Sequence, residues 1–96
     1  MKLKLVFSGG SEVLFNDKRE HDVEVPNQTD VKSLLDWILE HLIEDKKRAP
    51  LLIVDGNVRP GILVLVNDVD YEISGGLNTS LKDGDEVTFI STLHGG

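Results

Sequence analysis

Few residues in this chain have the types and spacing that chemistry requires. His21, His41 and His94 lie far apart in the sequence and lack the spacing of a metal-binding set. Four aspartates form two close pairs, but each pair frames a turn, where aspartate is favoured for its hydrogen bonds to the backbone: Asp68, Asp70, Asp83 and Asp85. No nucleophile is paired with a base, so we expect no enzymatic activity, no catalytic residues, no bound cofactor and no metal site.

The C-terminal pair Gly95-Gly96 is the exception. Two residues without side chains tolerate positive φ, and they can thread a channel in which another residue would clash. His94 beside them titrates near neutral pH in its ordinary form. It is either a contact to a partner or a solvated tail residue, and the sequence leaves both open.

Composition restricts the class of protein. The chain has 96 residues, of which 40% are hydrophobic and 28% charged, so it fits one folded domain and neither a disordered nor a membrane protein. The first apolar run ends after Phe7, too early for a signal peptide or a membrane span. There is no cysteine, which excludes disulfides and thiol catalysis and favours the cytoplasm, with the nucleus as the alternative.

The net charge indicates which kinds of partner the chain can bind. A net charge of −7 disfavours direct nucleic-acid binding, which depends on a basic face, and favours a protein partner with a basic docking surface. We expect a monomer.

Periodicity predicts the elements that would position the tail. Residues 2–7 and 21–25 alternate as two strands of a hairpin with a wide loop. A helix starts at Thr29 or Asp30, its apolar face is a stripe of five residues, and Pro50 closes the segment after the basic residues 46–48. Those five residues are Val31, Leu34, Leu35, Ile38 and Leu42.

The second half completes a sheet. Residues 62–66 form an unbroken β-rich run that we expect to be a central strand, and residues 87–93 form the last strand. Between them, residues 70–80 predict a loop with one short strand or helical turn. The order predicts an α+β fold, the β-grasp, in which a mixed sheet curls over one main helix and the first and last strands pair in parallel. We assign residues 1–93 to one β-grasp domain and residues 94–96 to a flexible tail.

With these elements placed, the whole chain resembles the eukaryotic ubiquitin-related modifier family. The resemblance rests on the opening VFSGG from Val6, the helical LLDWI from Leu34, the string VRPGILVLVND from Val58 and the ending FISTLHGG from Phe89. The last two strings are specific, whereas residues 70–80 match only loosely.

The resemblance implies a carrier cycle. An activating enzyme would consume ATP to adenylate the carboxylate of Gly96, with His94 and Gly95 as tail contacts, and a rhodanese-type donor would convert it to a thiocarboxylate. The sulfur would serve a transfer RNA thiolation enzyme complex in 2-thiolation of the wobble uridine, and the activated end could also be joined to lysines of target proteins. The tail then appears mature, ending at Gly96. The alternative is an inert ubiquitin-like interaction module.

The run 62–66 is apolar on both faces, although the helix covers only one side of the sheet. One of two sets must therefore point outward, either Ile62, Val64 and Val66 or Leu63 and Leu65. We predict a docking patch for the activating enzyme from Ile62, Val64, Val66 and Ile90, unless the segment 70–80 covers that face.

Overall fold

The chain folds into strands and short helices in a computed structural model that describes residues 1–92. Its strands are β1 (Lys2–Ser8), β2 (Glu20–Glu24), β3 (Ile53–Val54), β4 (Asn57–Val58), β5 (Ile62–Val66), β6 (Val69–Asp70) and β7 (Glu86–Ser91), and its α-helices are α1 (Val31–Trp37) and α2 (Tyr71–Ser74). The final residues of the assigned domain and tail, 93–96, lie outside the described part, so that boundary stays a prediction.

Five strands form one mixed sheet in the order β2-β1-β7-β5-β6. β1 pairs antiparallel with β2 and parallel with β7, and β7 pairs antiparallel with β5. The β-grasp prediction, including the parallel pairing of the first and last long strands, is confirmed. β5 is flanked on both sides, although its outer neighbour β6 has only two residues.

Helix α1 begins where the sequence offers a cap. The Ser33 N–H donates to Asp30 Oδ1 at 2.8 Å, which satisfies one of the free N–H groups of the first turn. The same hydrogen bond holds the pKa of Asp30 below its usual range. The apolar stripe packs on the sheet, with Val31, Leu34, Leu35 and Ile38 buried and Leu42 half-buried.

The end of the helical segment differs from the prediction. α1 gives way to a π-helical turn over Ile38–Leu42, and Ile43 then adopts an extended conformation. Lys46 bonds through its Nζ to the carbonyl oxygen of Ile43 at 2.8 Å and to that of Leu39, so a cation stabilises the free carbonyls there. Pro50 does not close this helix but lies inside a separate 3-10 helix, Lys46–Leu51.

The core lies between α1 and the inner face of the sheet. The rings of Phe7 and Phe89, on neighbouring strands, stack with centroids 5.1 Å apart. Phe15, from the 3-10 helix Ser11–Phe15, packs on Phe7 at 4.1 Å. The segment 70–80 holds α2 and a short 3-10 turn, Gly76–Asn78, as the loop prediction allowed. No helix within residues 1–92 is long and apolar enough to cross a membrane.

Candidate functional site

The strand that leads to the tail ends between two fixed neighbours. Ser91 pairs with Ile62 across the antiparallel ladder. The Thr92 N–H donates to the Gly61 carbonyl at 2.9 Å, and the Thr92 hydroxyl donates to the same oxygen at 2.5 Å. These bonds fix the point from which residues 93–96 continue. Gly96, Gly95 and His94, the predicted site residues of the tail, lie outside the described residues.

The turn after β1 packs against this point from the other side. Gly9 has φ +69°, and a Cβ placed there would overlap the Ser91 carbonyl oxygen, so only glycine fits without a shift. The buried hydroxyl of Ser11 lies 3.0 Å from the Ser8 carbonyl oxygen and 3.1 Å from that of Phe89. The sequence identifies these residues only as a turn, because nothing local indicates that the turn reaches the last strand. We call Gly9, Ser11, Gly61 and Thr92 the tail-root residues.

The sheet face opposite α1 corrects the predicted docking patch. Ile62, Val64 and Val66 are buried against the helix side, at 8%, 0% and 9% exposure, so their assignment to an outward patch is wrong. The other set points outward: Leu63 is 44% exposed and Leu65 is half-buried. Since Leu63 remains open, the segment 70–80 does not cover this face at that position.

Leu63 and Leu65 belong to a cluster that spans three strands. Ile90, predicted for the patch, lies directly opposite Leu63 and is half-buried, and Val6 shares Thr88 as a neighbour with Leu65. Directly opposed side chains lie about 5 Å apart, close enough to form one surface. We call Val6, Leu63, Leu65 and Ile90 the outer apolar cluster. Sequence alternation marks Val6 as outward, but only the register shows that a single residue of β7, Thr88, separates it from Leu65.

Acidic residues flank this cluster along one row of the sheet. Glu20 on β2 lies opposite Val6, and Asp70 on β6 lies opposite Leu65. Glu20 also pairs with Lys4, whose Nζ is 2.6 Å from Glu20 Oε1. This hydrogen-bonded ion pair raises the pKa of Lys4 and lowers the pKa of Glu20. That row is therefore acidic at both ends and carries Val6 and Leu65 on either side of Thr88.

The side chains of Asp70, Asp83 and Asp85 bond to backbone N–H groups in the described structure, Asp70 and Asp85 locally and Asp83 across to strand β1. Asp83 Oδ1 accepts from the Lys2 N–H at 2.6 Å, Asp85 Oδ2 from the Lys82 N–H at 2.8 Å, and Asp70 Oδ1 from the Glu72 N–H at 2.9 Å. Asp68 has φ +68°, as expected in a turn. Among residues 1–92, no cluster of histidine and acidic side chains is arranged to hold a metal.

The architecture and the apolar outer face beside the tail root define a ubiquitin-like protein of the β-grasp fold. The family model "Urm1 (Ubiquitin related modifier)" matches residues 2–96. The chain therefore belongs to the ubiquitin-related modifier family, a family of ubiquitin-like modifiers and sulfur carriers.

Individual relatives agree. The chain is 48% identical over 99 residues to ubiquitin-related modifier 1 of Bos taurus, an alignment that covers all of this chain and 96% of that protein. The solution structure of Urm1 from Trypanosoma brucei is 39% identical and covers 99% of this chain and 95% of that one, with a TM-score of 0.79. A chain of the crystal structure of the Amycolatopsis orientalis BexX/CysO complex is 26% identical and covers 98% and 99%, with a TM-score of 0.71.

Proposed function

We propose that this protein carries sulfur on its C-terminal glycine and also serves as a protein modifier. An activating enzyme transfers AMP from ATP to the Gly96 carboxylate and releases pyrophosphate. The persulfide of a rhodanese-type donor then displaces AMP to form an acyl disulfide, and a thiol cleaves its S–S bond to release the Gly96 thiocarboxylate, so that the thiol and the donor sulfur are left as a disulfide. The sulfur then passes to an enzyme complex that thiolates the wobble uridine of transfer RNA. Lysines of target proteins are the second acceptor of the activated end.

One observation carries this proposal: the family match runs through Gly96, so the Gly95-Gly96 pair falls within the family pattern. Glycines at this position suit a narrow channel to the phosphates of ATP. The lack of cysteine supports the same role, because an internal thiol could attack an activated acyl group or exchange with a persulfide.

The outer apolar cluster is the surface that we assign to the activating enzyme. Ile90 lies on the strand that leads to the tail and Leu63 lies directly opposite it, so a partner seated on these two residues sits beside the tail root. The structure from Amycolatopsis orientalis is a complex of two proteins, which supports a stable partner for a chain of this fold. The acidic ends of the row, Glu20 and Asp70, suit a basic rim on that partner.

We also propose that the chain itself is not an enzyme and holds no cofactor, since ATP is consumed by the partner. It acts as a monomer in the cytoplasm, with no membrane attachment and no direct contact to nucleic acid. The net charge of −7 supports a protein intermediary between the chain and transfer RNA.

The experiment is conversion of the purified chain with a family activating enzyme, ATP and a sulfur donor, followed by intact mass spectrometry. We expect a mass gain equal to the difference between sulfur and oxygen, at one site that peptide mapping places at Gly96. A reaction without ATP and a variant lacking Gly96 are the matched controls, and both should keep their mass.

An unchanged mass, under conditions that convert another family member, would refute the carrier function. If the variant lacking Gly96 then still bound its partners, the chain would be an inert ubiquitin-like interaction module. Conversion at a different residue would refute the assignment of Gly96.

A further inference from the structure

The strand β2 forms one edge of the sheet, and no strand of the described residues lies beyond it. At the two ends of its ladder with β1, the Phe7 N–H donates to the Arg19 carbonyl at 2.8 Å and the Val25 N–H donates to the Met1 carbonyl at 2.9 Å. Backbone groups alternate in direction along an antiparallel strand. The odd-numbered residues of β2 therefore pair with β1, and the even-numbered residues direct their N–H and C=O groups away from the sheet.

Those even-numbered residues are Glu20, Asp22 and Glu24, and all three are exposed. Among residues 1–92 their outward N–H and C=O groups have no hydrogen-bond partner. The open edge is thus a row of three donors and three acceptors with the spacing of a β-ladder. Such an edge is a template for an added strand unless something blocks it. The strand carries no proline and no bulge, and Pro26 comes only after it ends.

The side chains of Glu20, Asp22 and Glu24 are all acidic, and this negative charge determines which kind of strand can be added. They lie on the outer face, opposite Lys2, Lys4 and Val6 of β1. A second copy of this chain paired along the same edge would bring acidic side chains against acidic ones, and like charges directly opposite destabilise a pair of strands. The charges therefore protect the edge against self-association while leaving it open to a strand of opposite charge.

We propose that the edge of β2 binds an extended segment of another protein that carries lysine or arginine at alternate positions. The segment adds a strand to the sheet, so backbone hydrogen bonds supply affinity and the alternating cations meet Glu20, Asp22 and Glu24 on the outer face. Asp22 and Glu24 make no ion pair within the described residues, whereas Glu20 is shared with Lys4. This binding uses no step of the chemistry at Gly96, and Asp22 and Glu24 distinguish it from the activating-enzyme surface, which shares only Glu20.

The inner side of the edge favours neutral residues between the cations. A cavity of about 320 Å³ lies between β2 and the end of the helical segment. Its walls combine apolar side chains, among them Leu14 and Leu42, with charged side chains of both signs, among them Lys18, Asp45 and Arg48. Every second side chain of an added strand points to this side, and a neutral side chain there meets the leucines without placing another cation beside Lys18 and Arg48.

The test uses a synthetic peptide that alternates lysine with valine, and nuclear magnetic resonance of the ¹⁵N-labelled full chain. We expect slowed hydrogen exchange at the amides of Glu20, Asp22 and Glu24, and little change at the amides of His21 and Val23, which already pair with β1. A peptide that alternates glutamate with valine should not bind. The lysine peptide with N-methylated backbone on its pairing side should not bind either, because it keeps the charge but lacks the donors.

Charge-reversed variants test whether binding depends on the acidic residues of the β2 edge or only on the net negative charge of the chain. Asp22→Lys with Glu24→Lys should weaken binding of the lysine peptide by roughly ten-fold, as expected for the loss of two exposed ion pairs. The matched control makes the same charge change on the exposed face of the helical segment, Asp36→Lys with Glu40→Lys, and should leave affinity nearly unchanged. Equal binding of both peptides, undiminished binding of the N-methylated peptide, or equal loss in the two variants would overturn the proposal. So would protection that appears without peptide on raising the protein concentration, which would identify a second copy as the occupant.

Discussion

Leu63→Asp tests whether the outer apolar cluster is the docking site for the activating enzyme. Leu63 is 44% exposed in the free chain, and its cross-strand neighbour Ile90 is half-buried. Fully burying a leucine contributes about 1.5–3 kcal/mol, so the exposed part of Leu63 offers about 1 kcal/mol to a partner. The part already buried is worth a similar amount, and we expect the variant to lose about 1–2 kcal/mol of folding stability.

The effect on docking should be larger than the effect on folding. An aspartate in the centre of an interface removes the apolar contact and leaves a carboxylate without water or a partner, which costs a further 1–3 kcal/mol or so. Together the two losses reach about 2–4 kcal/mol, which corresponds to a roughly 30- to 1,000-fold weaker complex.

The assay is the affinity for the activating enzyme and the rate of ATP-dependent adenylation, measured beside the melting curve. Ile73→Asp is the matched control, because Ile73 on α2 is an 81% exposed apolar residue outside the cluster. We expect Ile73→Asp to bind normally. Normal binding by a folded Leu63→Asp would place the docking site elsewhere, and failure of Leu63→Asp to fold would contradict its outward position.

Two further predictions concern the folded domain. Gly9→Ala should destabilise it by about 2 kcal/mol or more in urea unfolding, because φ is +69° and the new Cβ overlaps the Ser91 carbonyl oxygen. Gly76→Ala is the matched control: φ is +60° and nothing lies within 4 Å of the new Cβ, so only the backbone cost should remain, and equal effects would contradict the close contact at Gly9. Asp30→Ala should cost about 1 kcal/mol at neutral pH. Because its pKa is lowered in the folded state, the stability that depends on ionised Asp30 is fully present above its unfolded pKa and is lost as pH falls through the folded pKa. The difference from the parent should therefore shrink in acid to what a neutral cap contributes, and a difference that does not change with pH would contradict the charged cap.

Local patterns were sufficient for most elements of the fold. β1 alternates cleanly, and its buried residues Leu3, Leu5 and Phe7 are the ones that alternation predicts. The start of α1 lies where Thr29 or Asp30 predicted it, and of the two it is Asp30 that caps the helix. The alternation along β1 and the cap of α1 each depend on residues close together in the chain, so both can be recognised from the sequence alone.

Which face of β5 is buried could not be predicted from such local patterns. Both sets of side chains in β5 are apolar, so alternation carries no information, and only pairing with β7 fixes which set meets the helix. The end of the helical segment failed for a related reason. The pattern of charges and Pro50 allowed a longer helix, but burial of Ile43 turns the chain at that residue, and burial is a tertiary effect.

The parallel pairing of β1 with β7 connects the tail to the docking face. Parallel strands finish at the same end of a sheet, so the turn that holds Gly9 and the bonds of Thr92 to Gly61 lie where residues 93–96 begin. Leu63 and Ile90 lie at that end too, whereas Lys2 and Glu24 lie at the other. A chain of four residues reaches at most about 14 Å. A partner that adenylates Gly96 must therefore hold its ATP within roughly that distance of Thr92. A partner seated on the outer apolar cluster has its docking surface and its ATP site side by side, whereas one seated at the far end of the sheet would have to extend along its whole length.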